Sequence, residues 1–424
     1  MSRDNTTASD DLLAMGARAR AAAQATASSS GAARADAIRG MARAIRESTD
    51  DIVLANQQDL ETARERQLSA AMIDRLMLDP GRIEAIAAAL ETIADLPDPL
   101  GVVQEQRTRP NGLHISRVSV PLGVIGIIYE SRPNVTADAA AICLKAGNAV
   151  VLRGGTESTH SSRLIVACIR SALRTSGLPA DLVQMLPSQD RALVGELLSG
   201  LGGQIDVVVP RGGRALIERV QQDARVPVIG HLEGLCHVYL HASAQADMAK
   251  DVVLNAKLRR TGICGAAETL LVDSALPEKT THRVINALLD AGCEVRGCEQ
   301  IQAVSSRVVA ATESDWSTEY LDSIIAVKMV DDLSAAISHI RHYGSGHTES
   351  IIANDTAAAN QFLTRLDSAI VMHNTSTQFA DGGEFGMGAE IGISTSRIHA
   401  RGPVGAAQLT SYKYVVRGDG QVRD

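Results

Sequence analysis

The stretch Asn148–Gly177, "NAVVLRGGTESTHSSRLIVACIRSALRTSG", decides the fold. Its opening run Ala149–Leu152 is apolar without alternation, which reads as a strand buried on both faces. Arg153, Gly154 and Gly155 then break the run, and apolar residues return at three-and-four spacing, the mark of an amphipathic helix. Such a strand, turn and helix is one βα unit. Upstream, "HISRVSVPLGVIGIIYE" (His114–Glu130) is rich in β-branched residues. Downstream, "LVQMLP" from Leu182, "IDVVVPRGG" from Ile205 and "VPVIGH" from Val226 continue the alternation. Repeated βα units predict a doubly wound, mostly parallel sheet with right-handed crossovers.

Working outward, a second alternating block starts near Lys250 with "KDVVLNAKLRR", "ETLLVD", "THRVINALLDAGCEV", "SIIAVKMVD" and "SIIAND", and predicts a second α/β domain. From Asp10 to about Leu96 the text is that of amphipathic helices. The closing "GPVGAAQLTSYKYVVRGDG" reads as a late strand able to pair with a neighbouring subunit. A chain of 424 residues suits two or three domains. With 45% hydrophobic but 2% aromatic residues, the interior must be filled by Val, Ile, Leu and Ala, which favours sheets covered by helices.

The formal charge of −8 argues against a general binder of nucleic-acid backbones, which needs a net basic footprint. Six cysteines in so long a chain lack the density and spacing of a disulfide framework, so a reducing, cytoplasmic compartment is expected. Neither a signal-peptide core nor 18 uninterrupted apolar residues occurs, and no membrane partner is expected.

Two strands end in arginine followed by paired glycines: Arg153, Gly154, Gly155 and Arg211, Gly212, Gly213. Glycines let backbone N–H groups approach a phosphate at a helix start, and arginine adds a charged fork. An ordinary tight turn reads the same, and neither stretch is a G-x-G-x-x-G fingerprint. Cys264, in "TGICGAAE", is flanked by glycines and follows Lys257, Arg259 and Arg260. Positive charge, together with backbone N–H groups if a helix starts there, would lower a thiol pKa. Taken alone, a free cysteine is more often a small core residue, and that reading is kept for Cys143, Cys168, Cys236, Cys293 and Cys298. Asn134, after a strand and a proline, is either an amide donor to a developing oxyanion or an N-cap. His339, His342 and His347 lie close in sequence without a neighbouring cysteine, so no metal site is expected there.

Three stretches resemble the aldehyde dehydrogenase superfamily: "IYESRPNVTADAAAICLKAGNAVVLRGG", "VDDLSAAISHIRHYGSGHTESI" (Val330–Ile351), and "QFADGGEFGMGAEIGISTSRIHARGPVGAAQLTSYKYVVRGDG" (Gln378–Gly420). The likeness covers nearly the whole chain and implies an α/β fold with two doubly wound domains and a small β oligomerisation element. It implies an NADPH-binding domain over residues 1–115 and 131–240, a catalytic domain over 241–400, and oligomerisation strands over 116–130 and 401–424. Carried over, the nucleophile is Cys264 and the oxyanion asparagine is Asn134. Arg153 takes the place of the lysine that touches the cofactor ribose, and Glu319 that of the glutamate on the nicotinamide ribose. Where aldehyde-oxidising members have a water-activating glutamate, "GHLEGLCH" offers His231, with Glu233 two residues on.

Losing that base fits an enzyme whose thioester must avoid water. The activity implied is reduction of L-glutamyl 5-phosphate by NADPH to L-glutamate 5-semialdehyde in proline biosynthesis, with phosphate released through a Cys264 thioester. Arg260 and His347 are the candidate seats for the substrate phosphate. A homo-oligomer, dimer or tetramer, and an association with glutamate 5-kinase are the expected partners. The alternative is a hydrolytic aldehyde dehydrogenase acting on another small aldehyde.

Overall fold

The computed structural model describes residues 3–187 and 191–423. The chain divides into two compact units. The first comprises Met1–Gly230, Gly386–Gly392 and Val404–Asp424, and the second His231–Phe385 and Ile393–Pro403.

In the first unit the anticipated βα units form a four-stranded parallel sheet in the order Val183–Met185, Ala149–Arg153, Val124–Tyr129, Val207–Arg211. The strand Val124–Tyr129 is buried at every position, as a strand covered on both faces must be. The chain builds outward from it on one side and then returns to pair Tyr129 with Arg211 on the other. That reversal is a topological switch point, the usual place for a ligand crevice at the carboxyl ends of parallel strands. Helices Asn134–Lys145, Thr159–Thr175 and Arg214–Asp223 follow three of the four strands, and N-terminal helices cover the sheet. The N-terminal segment is helical as its periodicity predicts. Ser30 caps the helix Gly31–Glu47 by accepting from Ala33 N, and Asp79 caps Pro80–Asp95 by accepting from Arg82 N.

A separate antiparallel sheet in this unit runs Val103–Thr108, His114–Pro121, Thr410–Arg417. The closing segment is therefore a strand, but of the span 116–130 only the part up to Pro121 belongs to this sheet. Val124–Tyr129 instead forms the centre of the parallel one.

The second unit has a seven-stranded sheet, parallel throughout, in the order Val309–Ala310, Glu294–Gly297, Ile324–Val330, Ala267–Asp273, Cys236–Leu240, Thr348–Ile352, Ile370–His373. Its first strand, Cys236–Leu240, stands inside the sheet. The domain boundary drawn from sequence at residue 240 thus lies too late: the chain passes between units at Gly230 and His231, because Cys236–Leu240 pairs with Ala267–Asp273 and Thr348–Ile352. An apolar cluster including Val238, Leu270, Val272, Ile285 and Val327 packs helices Ala246–Leu258 and Glu278–Asp290 on one face, and Tyr239, Leu271, Ile337 and Phe362 fill the other. Among the described residues no helix is long and apolar enough to cross a membrane.

Candidate active site

In the first unit the candidate residues gather where strands end. Arg153 closes one strand and Arg211 closes another, and both pair across to the central strand, at Ile128 and Tyr129 respectively. Gly154 lies against the Tyr129 ring, where a Cβ would come within 3.1 Å. Gly213 donates to Glu130 Oε2 at 3.1 Å and caps the helix Arg214–Asp223. Arg66, not anticipated from sequence, reaches Thr156 Oγ1 at 3.2 Å just past the Arg153 turn. The loop from Tyr129 to the next helix is tied down by Glu157, whose Oε1 accepts from both the backbone N–H and the hydroxyl of Ser131.

Asn134 is not the N-cap of its helix: Pro133 occupies that position. Its side chain donates instead to Asp138 Oδ2 at 3.1 Å, one turn along. Burial raises Asp138 to about 6, against the opposing effects of the Asn134 amide and the Arg211 charge. One amide hydrogen is thereby engaged, which fixes the plane of the carboxamide. The signal for Asp138 was present in the sequence as the i, i+4 position from Asn134.

In the second unit the candidates gather where strands begin. Cys264 lies in a turn before the strand Ala267–Asp273. No helix starts after it, so the helix N-terminus that would depress its pKa is absent, and the preceding helix instead ends at Leu258. Lys257 does not face the thiol as a free charge either: it is buried and its Nζ is 2.5 Å from Glu268 Oε2. Arg260 is exposed, and its carbonyl accepts from Gln378 Nε2 at 3.2 Å.

What does surround Cys264 is imidazole. The ligand atoms of His231, Cys264 and His347 all lie within 4.8 Å of one another, and the two rings meet edge-on with centroids 4.9 Å apart. His231 Nδ1 is 2.7 Å from the Ile393 carbonyl oxygen. A carbonyl only accepts, so the proton of the neutral ring is on Nδ1 and the lone pair on Nε2. His347 is fully buried with Nδ1 2.8 Å from Thr348 Oγ1, and burial holds it well below the usual histidine range, with His231 adding to the effect. A ring held toward its neutral form would offer a phosphate a hydrogen bond rather than a positive charge. His339 and His342 stand elsewhere: His339 packs on Tyr343 at 4.5 Å, and burial lowers it to about 3.

Gly234 and Cys236 complete the surroundings. A Cβ on Gly234 would sit 2.2 Å from the Cys264 carbonyl oxygen, so only glycine fits. The Gly234 N–H donates to Glu319 Oε1 at 2.8 Å, which brings Glu319 to the same place. Cys236 Sγ donates to the Cys264 carbonyl at 3.0 Å. Burial pushes the thiols of Cys143, Cys168, Cys236 and Cys293 upward, as expected of inert core cysteines, whereas Cys264 is half-exposed. Gly234 and Cys236 stood in the same "GHLEGLCH" as His231, but their contact with Cys264 depends on the pairing of two strands that sequence alone does not specify.

Residues 4–297 match the model of the aldehyde dehydrogenase family. The chain is 60% identical to the gamma-glutamyl phosphate reductase of Parvibaculum lavamentivorans, over 91% of each chain. It is 58% identical to that of Paramagnetospirillum magneticum, over 96% of each. Among solved structures, the gamma-glutamyl phosphate reductase of Thermotoga maritima is 44% identical, with a TM-score of 0.95 over 97% of this chain and 100% of that one. An acetylating aldehyde dehydrogenase from Geobacillus thermoglucosidasius, 17% identical, shares the fold with a TM-score of 0.70 over the full length of both.

Proposed function

The chain belongs to the gamma-glutamyl phosphate reductases of the aldehyde dehydrogenase family, and we propose that it reduces L-glutamyl 5-phosphate to L-glutamate 5-semialdehyde with NADPH, through a thioester on Cys264. The observation that carries the thioester is a half-exposed thiol whose sulfur lies within 4.8 Å of a ring nitrogen of His231, an imidazole whose proton the Ile393 carbonyl holds on Nδ1. His231 Nε2 takes the thiol proton, and the thiolate attacks the acyl carbon. The Asn134 amide, its plane set by Asp138, donates to the oxyanion. Phosphate leaves, taking its own proton from solvent, and Arg260 with Arg259 supplies the positive charge on that approach.

His231 is then an imidazolium, which cannot act as a base toward water. The thioester is therefore protected from hydrolysis by the same residue that helped to form it. When bound, NADPH supplies the hydride that reduces the thioester. The thiolate departs as the aldehyde forms and recovers its proton from His231.

The nicotinamide cofactor of this family has a fitting donor set here. Arg153 and Gly155 at the strand end, Arg66 on the uncharged Thr156, and Arg211, Gly212 and Gly213 on the neighbouring strand suit the phosphates of NADPH. Glu319 serves the nicotinamide ribose. The exposed Tyr412, Tyr414 and Val416 of Thr410–Arg417, a strand that among the described residues pairs with His114–Pro121 alone, support a homo-oligomer built on this sheet, and glutamate 5-kinase is the partner that would hand over the labile acyl phosphate.

The test is NADP⁺ reduction with glutamate 5-semialdehyde. Turnover should require phosphate and vanish in Cys264→Ala. Phosphate-independent turnover would favour a hydrolytic aldehyde dehydrogenase, and an active alanine variant would exclude the thioester.

A further inference from the structure

We infer that His231, Cys264 and His347 form a three-ligand site for a soft divalent cation of the zinc class, whose binding closes the thiol to substrate. Their ligand atoms lie within 4.8 Å of one another, whereas ligands of a tetrahedral zinc stand about 3.5 Å apart, so side-chain shifts of about 1 Å complete the site. Two imidazoles and a thiolate, with no oxygen donor, select zinc and its soft neighbours over magnesium or calcium.

A second observation is independent of that spacing. His347 Nε2 is buried without a hydrogen-bond partner among the described residues. A buried ring nitrogen left unsatisfied is uncommon in folded proteins, so it calls for an explanation. The other nitrogen of each ring is already held, His347 Nδ1 by Thr348 Oγ1 at 2.8 Å and His231 Nδ1 by the Ile393 carbonyl at 2.7 Å. This is the outer support that metal-binding histidines need for Nε2 coordination. The location favours a cation too: helices Ala246–Leu258 and Leu333–Tyr343 both end toward this edge of the sheet, presenting the negative ends of their dipoles.

Binding is an exchange without electron transfer. The S–H bond of Cys264 breaks, its proton passes to solvent, and a sulfur–metal bond forms. The sulfur lone pair that would attack the acyl carbon is then occupied. The ion is an inhibitor that senses free zinc-class metal, and chelation reverses it.

The inference shares Cys264 with the thioester reading but is read by binding, not by turnover. Cobalt(II) added to the metal-free enzyme should give a thiolate-to-cobalt charge-transfer band at one ion per chain, absent in Cys264→Ala. His231→Gln and His347→Asn should each weaken cobalt binding by about tenfold or more. Zinc should slow alkylation of Cys264 by iodoacetamide about tenfold in the wild type and much less in either variant. No band, or a band unchanged in the histidine variants, would overturn the site. His347 is in the core, so if His347→Asn fails to fold, the half-exposed His231→Gln decides. Should turnover prove independent of Cys264, the cobalt spectrum would still stand or fall by itself.

Discussion

The two units use opposite edges of their parallel sheets. In the first, Asn134, Arg153 and Arg211 follow strands, at the edge where helices begin. In the second, His231, Cys264, Glu319 and His347 precede strands, at the edge where helices end. Helix starts present N–H groups and a positive dipole, which suits phosphates and a developing oxyanion. Helix ends present carbonyls, which do nothing for a thiolate. On our reading the second unit must therefore use side chains to activate its cysteine, and it also buries polar pairs in and against its sheet: Lys257 with Glu268, His237 with Glu349 at 2.9 Å, and Tyr239 with Asp273 at 2.5 Å. The first unit's central strand, Val124–Tyr129, carries no charged residue.

That contrast breaks most sharply at Glu268. Glu268→Ala strands the buried Lys257 charge and should destabilise the protein by about 3–5 kcal/mol in denaturant unfolding. Replacing both partners by apolar residues should recover most of the loss; recovery of nothing would mean that the pair is not acting as a unit. Next comes Asn134→Ala, expected to lower kcat by about 10²–10³-fold while leaving unfolding nearly unchanged. An equal fall in stability would make Asn134 structural and remove the distinction between the two edges.

Smaller still is Asp315, ahead of the strand Ile324–Val330. Burial pushes its carboxyl up, but hydrogen bonds from Tyr320, Arg296 and Thr312 outweigh this and hold it well below the ordinary 3.8. A depressed carboxylate stabilises the fold above its unfolded pKa, and that contribution is lost as pH falls through the folded value. Asp315→Asn should therefore cost about 1.5–3 kcal/mol at neutral pH, with the gap to wild type closing below about pH 4. A gap that stays constant down to strong acid would contradict the assignment. Smallest is Arg66→Ala, which should raise KM for NADPH by about tenfold, leave NADH use unaffected, and change stability by less than about 0.5 kcal/mol.

Much of this was legible in the sequence, and for identifiable reasons. The βα alternation around Asn148–Gly177 is local, so strand, turn and helix followed from periodicity. The strand at Thr410–Arg417 was equally plain. The unit boundary was not, because Cys236–Leu240 joins the second sheet through pairings with residues more than a hundred positions away in one case, at Thr348–Ile352. The neighbours of Cys264 were hidden by the same cause. His231 was singled out by its position in "GHLEGLCH", but His347 comes beside Cys264 because the strand it precedes, Thr348–Ile352, lies beside Cys236–Leu240. Lys257 looked like a charge near Cys264, and only tertiary packing reveals that it belongs to Glu268.

The central claim is that Cys264 carries the acyl group and that water does not release it. Mixing the enzyme with glutamate 5-semialdehyde and NADP⁺ in phosphate-free buffer, quenching in acid, and digesting for peptide mass analysis tests this directly. The account predicts a glutamyl increment on the peptide containing Cys264 that persists until phosphate is added and then disappears. No increment, an increment on another residue, or its loss at the same rate without phosphate would contradict it.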